Sequence, residues 1–175
     1  APAAHFSMGG LWVDYELMTT ITGLYALGEC NFADHGANRL GANSLLQACV
    51  DGYFVLPCTI GNYLANDISQ PPPATDRMEF DTAVQAAEES IRQLLSIQGS
   101  RSVDEFHREL GTILTDRCGI IRSADGLKSA IRDIQQLRSE FHEDVLVPGA
   151  SMAPNSELEK SLRVQDYLEL CELMC

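Results

Sequence analysis

The stretch His35-Gly36-Ala37-Asn38-Arg39-Leu40-Gly41-Ala42-Asn43-Ser44-Leu45 decides the reading of this chain. A lone Arg, two Asn, a Ser and two Gly run straight into an apolar segment with helical spacing. Glycines beside a helix start let another group approach the backbone closely. The Arg offers a fixed fork of donors, suited to a carboxylate or a phosphate. The plain alternative is a surface Arg paired with Asp34 or another acid.

Outward from this loop, residues 43 to about 65 predict an apolar helix, with Leu45, Leu46, Cys49, Val50 and Tyr53 near one side. Pro57 is expected to kink or end it. Residues 1–30 read as short extended pieces, with Leu11-Trp12-Val13-Asp14 and Leu24-Tyr25-Ala26-Leu27 strand-like between glycines. Glu29 follows the second piece and Gly28. A Gly-Glu at a strand end puts a carboxylate at the carboxyl edge of a sheet, where ligands of α/β folds bind. A solvated strand-end acid is the plain alternative.

Ser69-Gln70-Pro71-Pro72-Pro73 is the clearest linker, because a triple Pro excludes helix. The pattern beyond it is helical. Phe80, Val84, Ala87, Ile91, Leu94 and Leu95 form one stripe, and Val103, Phe106, Leu110, Ile113 and Leu114 a second. Leu127, Ile131, Ile134, Leu137 and Phe141 form a third. Asp76 with Glu79, Ser102 with Glu105, and Ser156 with Glu159 have capping-box spacing. Gly99 and Gly119 fall where helices should stop. A last helix over 156–175 is expected to bury Leu158, Leu162, Tyr167, Leu170 and Met174. Such stripes bury their apolar faces only against one another, so a bundle follows.

The net charge of -13 argues against nucleic acid and anionic membrane surfaces as partners. The longest apolar run, from Tyr53 to Leu64, is broken by Pro57 and Gly61, so direct membrane insertion is not expected. The six cysteines form no CxxC pair and no metal spacing, and read as buried reduced thiols. His107 and His142 read as solvated helix residues. The first residues, Ala1-Pro2-Ala3-Ala4-His5, and the abrupt end at Cys175 read as cuts through a longer protein.

The stretch His35–Leu45 resembles the HGANRLGxNSL signature of the succinate dehydrogenase / fumarate reductase flavoprotein family. His5-Phe6-Ser7-Met8-Gly9-Gly10 and Gly28-Glu29 are similar to further segments of that family, as is Val164-Gln165-Asp166-Tyr167-Leu168-Glu169-Leu170. The resemblance implies a mixed, mostly α fold. Residues 1–68 would be the C-terminal part of a capping and FAD-binding region, with short β elements and a helix. Residues 69–76 would be the linker, and residues 77–175 an antiparallel helical bundle domain. It implies FAD as cofactor of the full-length protein, contacted by Glu29, Ser44 and Leu45. It implies His5 and Arg39 as ligands of a succinate or fumarate dicarboxylate. The proton-transferring Arg and the dinucleotide fingerprint would lie upstream, so no catalytic residue and no metal ligand is expected here, and the chain alone is expected to be inactive. Implied partners are an iron–sulfur subunit and a membrane anchor subunit, with the protein peripheral on the cytoplasmic side of a bacterial membrane. L-Aspartate oxidases share much of the signature but usually show Ala-Ser where this chain has Gly41-Ala42. A helical interaction module without activity is the reading from another class.

Overall fold

The computed structural model describes residues 9–32, 35, 39–149 and 154–175. The chain divides into two compact units, Ala1–Pro73 and Ala74–Cys175. The fold is mostly helical with short β elements.

In the first unit, the segments read as strands make single bridges instead. Leu11 pairs with Asn31 and Met18 with Tyr25. The reason is local: the Asp14 carboxylate accepts from the amides of Glu16 and Met18, and Leu17 turns to a left-handed φ of 65°. An aspartate that binds amides just ahead of it favours a turn over a ladder. Val13, Leu17 and Ala26 form the small core beneath.

The expected helix is present over α1 (Asn43–Val50) and α2 (Leu56–Tyr63), joined by a π-helical segment, Asp51–Val55. Pro57 does not end it. Proline removes one donor and crowds the carbonyl four residues back, and the wider π turn just before it absorbs both effects. The continuous 21-residue helix Asn43–Tyr63 is therefore long and apolar enough to cross a membrane by length and composition, where the sequence reading expected the apolar run to be broken at Pro57 and Gly61. Its inward face is polar: Ser44, Asp51 and Thr59 are the buried residues, and Thr59 donates to Glu16 Oε2 at 3.0 Å. Leu45, Leu46, Tyr53 and Phe54 point outward and are exposed.

The second unit comprises α3 (Met78–Ser96), β1 (Arg101–Ser102), α4 (Val103–Arg117), α5 (Ala124–Asp144), β2 (Val145–Leu146) and α6 (Ser156–Met174). The central core joins Leu94, Val103, Phe106, Leu110, Ile134, Leu137, Phe141, Val145, Val164 and Leu168. The second stripe lies as expected; the third holds over Ile134, Leu137 and Phe141, whereas Leu127 and Ile131 are half-buried outside that core and Ala130 between them is fully buried. The first holds only at its C-terminal end, where Ile91, Leu94 and Leu95 pack, whereas Phe80 and Val84 are exposed. On α6 the buried line is Leu158, Ser161, Val164, Leu168 and Cys171, and Tyr167, Leu170 and Met174 face solvent. Ser161 is fully buried because its hydroxyl donates to the Glu157 carbonyl at 2.8 Å within its own helix.

Of the three expected caps, one stands. The Glu105 carboxylate accepts from the Ser102 amide and hydroxyl, both at 2.7 Å. At α3 the N-cap is Arg77, without a side-chain cap, in place of Asp76. At α6 it is Asn155, which accepts from Glu157 and Leu158, so Ser156 is already helical. Ser123 caps α5 through the Gly126 amide.

Gly99 is required by proximity: a Cβ there would lie 2.0 Å from the Asp144 carbonyl oxygen. There Asp144 binds the Ser100 amide and hydroxyl, and β1 pairs with β2 in parallel. Neither short strand was expected from sequence. Cys118 and Cys171 are buried, but Cys30, Cys49 and Cys58 are exposed, contrary to the uniform burial expected. The helix Asn43–Tyr63 turns the latter two outward with its apolar face.

Candidate functional site

The candidate site lies in the first unit and is built on a 3-10 turn, Gly28–Cys30, seated against α1. Gly28 takes φ +63°, and a Cβ there would meet the Ala48 Cβ at 3.2 Å. The turn can sit this close only because residue 28 has no side chain. It carries Glu29 on the exposed side, while Gly28 faces inward and donates to Asp51 Oδ2 at 3.1 Å.

Asp51 starts a polar chain that crosses the unit. Asn31 Nδ2 donates to the same Asp51 oxygen at 3.4 Å. Gln47 Nε2 donates to Asn31 Oδ1 at 3.0 Å, and Gln47 Oε1 lies 2.9 Å from His35 Nε2. Asn31 and Asp51 are buried, so each bond replaces water that burial has removed. These side chains line a cleft of about 650 Å³ together with Trp12, Tyr15 and Phe32. Near it, burial pushes the Tyr25 phenol above its ordinary range, with Tyr63, Asp14 and Glu16 adding to the shift.

The start of α1 supplies donors. Its N-cap, Ala42, is left-handed at φ 66° and gives no side-chain cap. The Asn43 amide binds the Leu40 carbonyl and the Leu46 amide binds that of Ala42. Among the described residues, the Ser44 and Leu45 amides between them have no acceptor. Ser44 is buried and Leu45 is 69% exposed, so any contact from residue 45 into the site is a backbone one. Arg39 is half-buried, with Nη1 donating to the Leu40 carbonyl at 3.4 Å. His5 lies outside the described residues. Glu29, Ser44 and Leu45 thus share the local structure formed by the turn and α1, with Arg39 four residues before that helix.

Comparison with known proteins extends these observations. Residues 107–175 match the family described as fumarate reductase flavoprotein C-term, and residues 1–45 match a FAD binding domain. The succinate dehydrogenase flavoprotein subunit of Bacillus subtilis (strain 168) is 40% identical over 140 residues, covering 80% of this chain and 24% of that protein. The chain belongs to the succinate dehydrogenase / fumarate reductase flavoprotein family.

A solved structure of E. coli quinol fumarate reductase aligns with this family member at TM-score 0.83 and 26% identity, covering 98% of this chain and 28% of that one. The L-aspartate oxidase of a Synechocystis species (strain ATCC 27184 / PCC 6803 / Kazusa) is 34% identical over 144 residues, covering 82% of this chain and 23% of that protein. This flavoprotein chain therefore spans about a quarter of the length of the curated relatives it matches.

Sequence reading missed Asn31, Gln47 and Asp51. The polarity of Gln47 and Asp51 on an otherwise apolar helix was the available signal, since Asp51 interrupts the run of Leu45, Leu46, Val50 and Tyr53; Asn31, beyond the turn at Gly28–Cys30, gave none.

Proposed function

We propose that the full-length protein is the flavoprotein subunit of a succinate:quinone oxidoreductase, interconverting succinate and fumarate with FAD. The observation that carries this is the pairing of an exposed acid, Glu29, with unspent amides at Ser44 and Leu45. The residues fit the cofactor. A carboxylate accepts hydrogen bonds from sugar-alcohol hydroxyls, and helix-start amides suit the electron-rich edge of a flavin ring. The tight Gly28–Ala48 approach keeps the turn and α1 together. When bound, the flavin supplies hydride exchange with a substrate methylene.

This chain's own residues bind and orient. Arg39 would hold one substrate carboxylate through its planar fork, and His5 would donate to the other, so that both ends of the dicarboxylate are fixed and polarised. The proton-transferring Arg would come from upstream. Electrons would leave through an iron–sulfur subunit docked on a membrane anchor, with this subunit peripheral on the cytoplasmic side of a bacterial membrane. The helix Asn43–Tyr63 would pack against protein rather than lipid, since Asp51 lies at its centre in a hydrogen-bonded chain. The isolated 175 residues would be inactive, because the remainder of the flavin pocket lies in the rest of the protein.

A second reading, an L-aspartate oxidase, is favoured by the 34% identity to that enzyme of Synechocystis. Gly41-Ala42, where such enzymes usually show Ala-Ser, ranks it below the first. Succinate-dependent dye reduction and aspartate-dependent peroxide formation by the full-length protein separate the two.

The test of the site is Arg39→Lys beside Glu29→Ala in the full-length protein. Arg39→Lys should keep the flavin and reduce succinate turnover about a hundredfold, the equivalent of losing one well-placed charged contact. Glu29→Ala should reduce flavin content first. Normal turnover in Arg39→Lys would make Arg39 a structural residue.

A further inference from the structure

The chain of side chains behind the candidate site has a direction, and the backbone sets it. The Gly28 N–H can only donate, so the atom it meets on residue 51, 3.1 Å away, must be an acceptor. Asn31 approaches that same oxygen at 3.4 Å and must therefore present its NH2. Its other end is then a carbonyl oxygen, which can be met only by a donor, and Gln47 presents Nε2 at 3.0 Å. Gln47 is left with Oε1 toward His35 Nε2 at 2.9 Å. An oxygen there requires a proton on Nε2.

We propose that Asp51, Asn31 and Gln47 are positioning residues that fix His35 with its proton on Nε2 and thereby act on a substrate held at Arg39. The relay begins at Gly28, beside Glu29, and ends four residues before Arg39. One chain, buried at Asn31 and Asp51 and half-buried at Gln47 and His35, thus joins the turn that would hold the cofactor to His35. Its assignment to succinate chemistry rests on the function proposed above; the state of the imidazole does not.

The experiment uses full-length protein labelled with 15N-histidine, the His35 ring signals being identified by their loss in His35→Gln. Near pH 8.5, above the ordinary histidine range of roughly 6.5, the wild type should show a protonated Nε2 and a bare Nδ1. Gln47→Met and Asn31→Leu cut the relay at different links, and both should give a mixture of tautomers. Asp51→Ala removes the shared acceptor and should do the same. Asp51→Asn keeps an oxygen for both donors and should restore the wild-type ring pattern. Gln47→Met, which leaves the bonds of Gly28 and Asn31 to Asp51 in place, should raise KM for succinate about tenfold with kcat and flavin content within about twofold of wild type, a split that general loosening would not give. A wild-type ring protonated on Nδ1, or Gln47→Met with ring signals and KM unchanged, would overturn the proposal. Absence of flavin or succinate turnover in the wild type would overturn the proposed function instead, while the ring signals would still decide this inference.

Discussion

Phe106 on α4 and Phe141 on α5 meet edge to face, with ring centroids 5.2 Å apart and planes at 82°, and neither ring is exposed to solvent. The Arg101 guanidinium lies over the Phe106 ring at 4.1 Å and is itself paired with Glu109 and Glu140. Phe106→Ala should therefore destabilise the protein by about 3–5 kcal/mol. Phe141→Ala should cost about as much, and the double variant should cost less than their sum by about 1 kcal/mol. Denaturant unfolding of the three variants measures this. Strict additivity would mean that the pair has no energy beyond its burial.

Two glycines should respond in opposite directions to the same substitution. Gly99→Ala forces a Cβ against the Asp144 carbonyl, 2.0 Å away, and must displace backbone. It should lower stability by about 2 kcal/mol or more. Gly111 sits inside α4 with nothing within 4 Å of the added carbon. Gly111→Ala should raise stability by roughly 0.5–1 kcal/mol, because alanine loses less backbone freedom in a helix. Thermal melts of the two variants suffice.

The cap on α4 should be visible in the acid limb of stability. The Ser102 hydroxyl and amide hold the Glu105 carboxyl below its ordinary value of 4.5, with Arg101 and Arg108 adding to the effect. A depressed folded value means the contribution is complete above 4.5 and is lost as pH falls through the lower folded value. Glu105→Gln should remove that part of the slope and leave the stability profile flatter below 4.5. A profile unchanged in shape would show that the cap carries no linked proton.

How much of this was legible in the sequence differs between elements for physical reasons. The stripe of α4 and the later part of that of α5, from Ile134 to Phe141, were readable because those turns bury one continuous apolar face. That of α6 was misread because Ser161 satisfies its hydroxyl within its own helix and so occupies a core position that polarity argued against. Phe80 was misread because only the last turns of α3 reach the core. In the first unit the start of α1 near Asn43 was found from residue types, whereas Glu29 was read as a strand-end acid and lies in a 3-10 turn, its cofactor role being implied only by the family resemblance. The relay was not found, since Gly28 and Asp51 are 23 residues apart and no local spacing joins them. The helix Asn43–Tyr63 was read correctly as apolar, but its polar residues face inward, which composition cannot express.

The clasp at Ser100 and Asp144 has a consequence for the order of events in folding. It joins positions 44 apart in sequence, and the parallel pairing of Arg101 with Val145 closes the same loop. Closing a flexible loop of that length costs about 3 kcal/mol in chain entropy, more than two surface hydrogen bonds return. The clasp therefore cannot nucleate; α4 and α5 must first meet through Phe106 and Phe141, which shortens the effective loop to a few residues. A clasp that closes late would act as a latch on unfolding: Ser100→Ala should then speed unfolding of the protein and leave its folding rate unchanged, which stopped-flow kinetics measures.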